Sequence, residues 1–196
     1  MTDLRLKLEA ALSQDGGASS DFDLNPGLVL PENRVLQPSA VLVCVRLETQ
    51  SLILTKRSTA LKHHPGQIAF PGGKMDADDP DLNATALREA EEEIGLPRQN
   101  VEILGALPSH ETVTGYEVTP VLACLDTDFE SMAEIGEVSE VFEVPLDLAT
   151  DPSRFRVEGR RWQGHTRHYY VVPFGPYYIW GATARILRGL ADRIAA

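Results

Sequence analysis

The chain has 196 residues, of which 43% are hydrophobic and 24% charged, a composition typical of a folded globular protein rather than a disordered one. Its formal charge of −11 disfavours non-specific binding to nucleic acid or to an anionic membrane surface. Residues 1–12 intersperse charged and apolar side chains as an amphipathic helix does, and we see neither a signal peptide nor an apolar run of membrane-spanning length. We therefore expect a single-domain cytoplasmic protein.

The first half of the chain predicts a helix followed by several strands. A short amphipathic helix is expected over 3–12, and then a loop or loosely draped extension over 13–38. The run at 39–48 is apolar on both alternations, which predicts a strand covered on both faces, and a second strand is expected at 51–58. A polar loop then leads to a short strand at 68–70.

The clearest helix of the sequence ends in REAEEEIGL, residues 88–96. Asp79 is predicted to be its N-cap, Pro80 its first residue and Gly95 the residue just past its end. The later expected elements are strands at 101–107, 117–126 and 137–144, a helical turn in VPLDLA, a hairpin formed by RFRVEGRRW and GHTRHYYVVPF, and a helix over roughly 180–194. This order predicts the α/β class, a sandwich with helices packed on a mixed sheet.

The two cysteines, Cys44 and Cys124, lie in apolar, strand-like runs and have no metal-ligand spacing. They are interpreted as buried packing thiols, since free cysteine is among the most buried residue types.

Three carboxylates of the helix, Glu89, Glu92 and Glu93, are spaced three and four residues apart and so share one face. The apolar stripe on another side is Leu87, Ala90 and Ile94. Like charges at this spacing repel by about 0.2–0.5 kcal/mol per exposed pair, and a solvated charged face is the ordinary explanation of such a run. The two glycines before the helix favour a different explanation, a site for a divalent cation. They let a backbone carbonyl approach the carboxylates, and such ions prefer oxygen ligands.

The stretch from Gly73 to Leu96 resembles the Nudix box: Gly, five residues, Glu, seven residues, then Arg-Glu-apolar-x-Glu-Glu-x-Gly-apolar. The second half matches at every defined position from Arg88 onward. The first half departs twice, because Asp79 replaces the first Glu and eight residues separate it from Arg88. The resemblance implies a Nudix fold, an α/β/α sandwich with a mixed sheet.

The same resemblance implies a site for Mg²⁺ or Mn²⁺ and a hydrolase of X-linked nucleoside diphosphates. The implied metal ligands are Glu89, Glu92, Glu93 and the carbonyl of Gly72. Arg88 would orient the glutamates, and a glutamate of the box would act as general base. We count Glu93, Glu92 and Arg88 as catalytic candidates.

Glu137 is a further candidate, since other Nudix enzymes draw a ligand or base from the loop in this region. A plain carboxylate at the start of a strand is an equally open interpretation of Glu137, and Glu134 is a weaker competitor. Trp180 is interpreted as a packing residue.

The stretch before the box, LTKRSTALKHHPGQIAFPGG at 54–73, resembles the signature of Nudix coenzyme A diphosphatases. Lys62 stands where that signature has a second arginine, which keeps the charge but loses the bidentate fork. The implied substrate is coenzyme A or a derivative. The residues expected to bind it are Arg57, Lys62, His63 and Phe70, with His64 beside them; solvated loop charges remain the alternative for the polar ones.

The likeness covers about residues 38–190, including GEVSEVFEVPL and YYIWGATARIL. We expect one domain over 1–196, with a helix and extension over 1–37 and a Nudix core over 38–196. The expected partner is a small molecule, with neither nucleic acid nor membrane, and a homodimer is left open. Hydrolysis of ADP-ribose, NADH or a dinucleoside polyphosphate is one alternative, and a non-catalytic nucleotide-binding module is another.

Overall fold

The computed structural model describes residues 2–28, 34–162 and 164–196. The helices are α1 (Thr2–Ser13), α2 (Leu82–Ile94), α3 (Leu146–Ala149) and α4 (Ala182–Ala195). The strands are β1 (Ser19–Ser20), β2 (Gln37–Arg46), β3 (Ser51–Arg57), β4 (Ile68–Ala69), β5 (Gly72–Lys74), β6 (Val101–Ala106), β7 (His110–Glu111), β8 (Tyr116–Leu125), β9 (Val138–Pro145), β10 (Arg156–Trp162), β11 (His165–Phe174) and β12 (Tyr177–Trp180).

The main sheet is mixed and is built around β2 and β8, which pair in parallel over their whole length. On the other side of β2 the antiparallel strand β3 follows, and β3 pairs in turn with β4 and β9. The strands β6 and β7 both pair antiparallel with β8, and β5 pairs with β2 where the chain approaches α2. A second, three-stranded antiparallel sheet has the order β10-β11-β12.

Both faces of the main sheet are covered, which explains why β2 is apolar on both alternations. Leu42 and Cys44 of β2 pack against α2 in one hydrophobic cluster. Val43 and Val45 belong to a second cluster on the opposite face, with residues of α1 and α4. Alternate side chains of a strand point to opposite faces, so two layers of helices enclose the sheet. The predicted α/β/α sandwich with a mixed sheet is confirmed, and both cysteines are buried in it.

The stretch over 13–38 differs from the expected loose extension. Asp21 lies mostly buried, and Asn25 is 6% exposed because its amide bonds the backbone of His168 in both directions. Side-chain hydrogen bonds to residues more than a hundred positions away are invisible to local patterning. Residues 29–33 of this stretch lie outside the described residues.

The C-terminal helix, expected over roughly 180–194, is confirmed as α4. The strand β12 before it, Tyr177–Trp180, pairs with β11 and was not among the predicted elements. A four-residue run of this kind is ambiguous by itself, and pairing with β11 decides its conformation. Within the described ranges, no helix combines the length and the apolarity that crossing a membrane requires.

Candidate active site

The helix α2 is placed by caps at both of its ends. Asp81, not Asp79, is the N-cap, and its carboxylate accepts a hydrogen bond from the Ala84 amide at 2.8 Å. Gly95 follows the last turn with φ 70°, as predicted. The expected cap therefore shifts by two residues, which leaves Asp79 free for a different contact.

Asp79 instead forms a two-point ion pair with Arg88. The guanidinium donates through Nε and Nη2 to the two carboxylate oxygens of Asp79, each at 3.0 Å. Arg88 also donates to Glu89 and Glu92 at 2.9 Å and to the backbone oxygen of Lys74 at 3.0 Å. The hydrogen bonds from Arg88 hold the pKa of Asp79 well below its usual range. Arg88 thus connects the strand β5, the loop between β5 and α2, and two glutamates of α2.

Glu93 points inward, although it lies on the carboxylate side of α2. Only 4% of the residue is exposed, and its carboxylate accepts a hydrogen bond from the Gly72 amide at 3.2 Å. Burial raises the pKa of Glu93 to about 7, and the charges of Glu89 and Glu137 add to this while Gly72 and Arg57 oppose it. The group is poised to change its charge near neutral pH.

The other two glutamates of the face are held differently. Glu89 is partly buried, and burial raises its pKa against the opposing hydrogen bond from Arg88. The Glu92 side chain is 58% exposed and is tied to the protein by Arg88. Glu137 lies exposed on the loop before β9, close enough for its charge to raise the pKa of both Glu89 and Glu93. Four carboxylates therefore converge at one end of α2.

The two glycines beside this cluster are needed for space. A Cβ on Gly72, whose φ is 154°, would lie 2.3 Å from the Ala40 oxygen, so this backbone approaches β2 too closely for any side chain. A Cβ on Gly73 would lie 2.4–2.7 Å from the carboxyl group of Glu89. Gly73 thus leaves the room that the Glu89 carboxylate occupies.

The donor set fits a hard divalent cation, although its carboxylates are not yet arranged around one. In the described ranges no three Asp, Glu, His or Cys side chains already stand as a metal-binding group. Arg88 engages Glu89 and Glu92, and Glu93 bonds a backbone amide, which accounts for this. Several carboxylates around a close backbone approach are nonetheless the oxygen-rich set that such ions take. Burial first, and neighbouring carboxylates second, raise the pKa values of Glu89 and Glu93, and a bound cation would oppose both effects.

A cleft of about 600 Å³ opens beside the carboxylate cluster. Arg57 lines this cleft and also reaches the carboxylate cluster, since its Nη1 lies 3.8 Å from Glu93 Oε1. Phe70, which is 3% exposed, and His64 also line the cleft. Most of the lining is apolar, as in sites that hold small organic ligands.

Three arginines of the β10-β11 hairpin also line the cleft, and the sequence had not singled them out. They are Arg160, Arg161 and Arg167, referred to below as the hairpin arginines. Arg167 is fixed by Asp21, whose carboxylate lies 2.8 Å from its Nη2. Burial opposes ionisation of Asp21, but contacts from His110 and the Val113 amide and the charge of Arg167 hold its pKa below the usual range.

Two aromatic residues complete this part of the cleft. Trp180 and Tyr169 both line it, with ring centroids 5.2 Å apart and planes inclined by 58°. Trp180 was expected to be a packing residue, and it is only partly buried. The cationic and aromatic side chains of the predicted hairpin, among them Arg160, Arg161, Arg167 and Tyr169, were the sequence signal available for this part of the cleft.

Two residues expected at the substrate lie elsewhere. Lys62 and His63 are exposed on the loop after β3 and, in the part of the chain that the structure describes, are outside the lining of the cleft. Local spacing placed them beside Arg57, but the residues of this loop that line the cleft are His64 and Gln67. Their role as substrate ligands stays a prediction.

The mixed sheet between helices and the glutamate helix beside a cationic cleft define a hydrolase of pyrophosphate bonds. Sequence comparison agrees, because the NUDIX domain family matches residues 36–165. The chain belongs to the Nudix hydrolase family, whose members act on nucleoside diphosphate derivatives and generally use divalent metal ions.

Similar proteins cover most of the chain. The Nudix hydrolase NudL of Enterobacter sp. (strain 638) is 42% identical over 158 residues, which is 81% of this chain and 82% of that protein. NudL of Salmonella heidelberg (strain SL476) is 40% identical over 176 residues, 89% and 92% of the two chains. A MutT/nudix family crystal structure from Enterococcus faecalis, 18% identical, covers 86% of this chain and 65% of that one with a TM-score of 0.50, which supports the fold alone.

Proposed function

We propose that the protein hydrolyses coenzyme A, or a derivative, at its diphosphate and releases 3′,5′-ADP and 4′-phosphopantetheine. The observation that carries this proposal is the cleft beside Glu93. It combines four arginines with extended apolar walls in a chain whose net charge is −11. Coenzyme A needs both kinds of surface, because it carries three phosphate groups and a long, weakly polar pantetheine arm.

The segment that resembles the coenzyme A diphosphatase signature supports the substrate assignment. Arg57 and Phe70 of this segment line the cleft, and Gly72 lies against Glu93 at its edge. Lys62 departs from the signature, and its exposed position is consistent with a minor role. The part of the signature that lines the cleft therefore supports coenzyme A as the substrate.

For the metal, the proposed ligands are Glu89, Glu92, Glu93 and the carbonyl of Gly72, with Mg²⁺ or Mn²⁺ as the ion. A bound divalent ion supplies charge neutralisation of the diphosphate and a lower pKa for a nearby water. Arg88 positions the glutamates through its contacts with Glu89 and Glu92.

The chemical step needs a base and a way to hold the substrate. The oxygen of a water molecule forms a bond to one phosphorus as the bond from that phosphorus to the bridging oxygen breaks. Glu93 is the proposed base that takes the water proton, because the Gly72 amide holds its carboxylate beside Arg57, which lines the cleft. Arg57, 3.8 Å from Glu93, is placed to pair with a diphosphate oxygen at the same point. Glu137 is the second candidate for the base.

A substrate panel tests this function. The value of kcat/KM is measured with Mg²⁺ and with Mn²⁺ for coenzyme A, ADP-ribose, NADH and a dinucleoside polyphosphate. We expect coenzyme A to give the highest value. A higher value for ADP-ribose would replace the substrate assignment, and tight nucleotide binding without product over hours would instead indicate a binding module.

We also propose that residues 1–196 form one domain, with an extension over 1–37 and a core over 38–196. Support comes from Leu8 of α1 and Leu187 of α4, which are fully buried in the same hydrophobic cluster as Leu54 of β3. A segment that shares the core of the sheet in this way is expected to fold with it.

A further inference from the structure

The hairpin arginines form a concentration of positive charge that, among the described residues, the cleft neutralises only in part, through the pair of Arg167 with Asp21. Arg160 and Arg167 face each other directly across β10 and β11, and like charges in this position are destabilising. Arg161 is the next residue on β10, and both Arg160 and Arg161 are exposed. Among the described residues that line the cleft, Asp21 is the one carboxylate, and Arg167 already pairs with it. An anion of the substrate would remove this repulsion.

Arg167 is the least exposed member of the cluster and is held by an ion pair. Its Nη2 is fixed by Asp21 at 2.8 Å, whereas its buried Nε lacks a hydrogen-bond partner in the described part of the chain. Asp21 is itself held by the Val113 amide at 2.9 Å. A guanidinium that is fixed before binding loses little conformational freedom when it takes an anionic oxygen.

The aromatic pair stands in the same cleft. Tyr169 lies two residues after Arg167 on β11, and Trp180 lies on the adjacent strand β12. A planar base can stack on either ring, because stacking does not depend on which hydrogen-bonding groups the base carries. Arginines beside aromatic rings are suited to a nucleoside that carries its own phosphate group.

We propose that Arg160, Arg161 and Arg167 bind the 3′-phosphomonoester on the ribose of the substrate, while Tyr169 and Trp180 contact its base. This assignment rests on the proposed function, since coenzyme A carries such a group and ADP-ribose and NADH do not. The hairpin then selects among nucleoside diphosphates by a phosphate that does not react. A 2′-phosphate, as in NADPH, has the same chemistry and must be distinguished by experiment.

The test compares kcat/KM for two substrate pairs, coenzyme A with 3′-dephospho-coenzyme A and NADPH with NADH. It uses the wild type, Arg160→Gln, Arg161→Gln and the control Arg156→Gln, an exposed arginine of β10 outside the cleft lining. We expect the wild type to prefer coenzyme A over its dephospho form by at least about tenfold, the size of one lost charge-assisted contact. Each cleft variant should reduce that ratio about tenfold, and Arg156→Gln should keep it. An unchanged Tm in each variant reports that it is folded.

Several results would overturn the assignment. Equal kcat/KM for coenzyme A and its dephospho form in the wild type would show that the hairpin does not recognise the 3′-phosphate. That result would leave the proposed function in place. Equal losses on both substrates in the two cleft variants would do the same. A larger ratio for the NADPH pair than for the coenzyme A pair would contradict the 3′ position. If neither form of coenzyme A is hydrolysed, the proposed function fails and this inference fails with it.

Discussion

Replacing Glu93 by Gln should make the metal-free protein more stable at alkaline pH while it removes activity. The carboxylate is 4% exposed and lies among other acids, so the folded protein holds the proton more tightly than the unfolded chain does. Gln keeps the shape of the side chain and an oxygen that can accept the hydrogen bond from the Gly72 amide. The substitution therefore removes the charge with little change in packing.

The magnitude follows from the pKa of Glu93. A rise from 4.5 to about 7 corresponds to a cost of about 3 kcal/mol once the group is ionised in the folded state. Because the folded pKa is raised, stability is highest below the unfolded pKa and is lost as pH rises through 7. Above that pH the wild type bears the whole cost and Glu93→Gln bears none of it.

The assay is thermal unfolding with EDTA at pH 5 and pH 8. We expect Glu93→Gln to exceed the wild type at pH 8 by up to about 6–12 °C, since about 3 kcal/mol shifts Tm by that much at this size. At pH 5 the two should differ by much less. Excess Mn²⁺ should then raise the Tm of the wild type and not that of the variant, and kcat/KM of the variant should fall about 10²–10⁴-fold.

The matched control is Glu91→Gln on the same helix. Glu91 is exposed and pairs with Arg98 at 2.6 Å, so its loss should change stability by less than about 1 kcal/mol at either pH. Lower stability of Glu93→Gln than of the wild type at pH 8 in EDTA would refute the reasoning about the buried carboxylate. Wild-type turnover in Glu93→Gln would refute its role in the reaction.

Three further predictions concern the box and the first helix. Arg88→Lys should lower kcat/KM about 10–100-fold, because a single ammonium cannot replace the two-point contact with Asp79 and still reach the glutamates. Gly73→Ala should lower activity by a similar factor and weaken the Mn²⁺-dependent rise in Tm, because the new methyl group would occupy the place of the Glu89 carboxylate. Leu8→Ala should destabilise the whole protein by about 2–5 kcal/mol in one unfolding transition, since the side chain is fully buried.

Each of these predictions has a control of the same kind. Arg98→Lys alters an exposed ion pair, Gly17→Ala meets nothing within 4 Å, and Leu6→Ala truncates a side chain of α1 that is 57% exposed. All three should leave activity and Tm nearly unchanged. Full activity in Arg88→Lys or Gly73→Ala would contradict the network around the glutamates, and a separate early transition in Leu8→Ala would contradict a single domain.

Local sequence rules were sufficient for most of the fold. The strands β2, β3, β6, β8 and β9, the hairpin and the helix α2 lie within a few residues of their expected positions, because hydrophobic period and Gly or Pro punctuation act over neighbouring residues. The wrong predictions concern features that the adjacent sequence does not specify. The N-cap of α2 is Asp81 rather than the predicted Asp79, because two aspartates near the start of a helix fit the sequence pattern equally well.

The sequence by itself determined the family, the sandwich class and the face of α2 that carries Glu89, Glu92 and Glu93, because helical spacing alone aligns those side chains. Only the tertiary structure decided that Glu93 is buried against Gly72 and that Asp79 pairs with Arg88. It also decided which cations line the cleft. The hairpin arginines reach it from a second sheet, whereas Lys62 is exposed outside its lining. Placements of this kind depend on contacts between distant strands that no local pattern records.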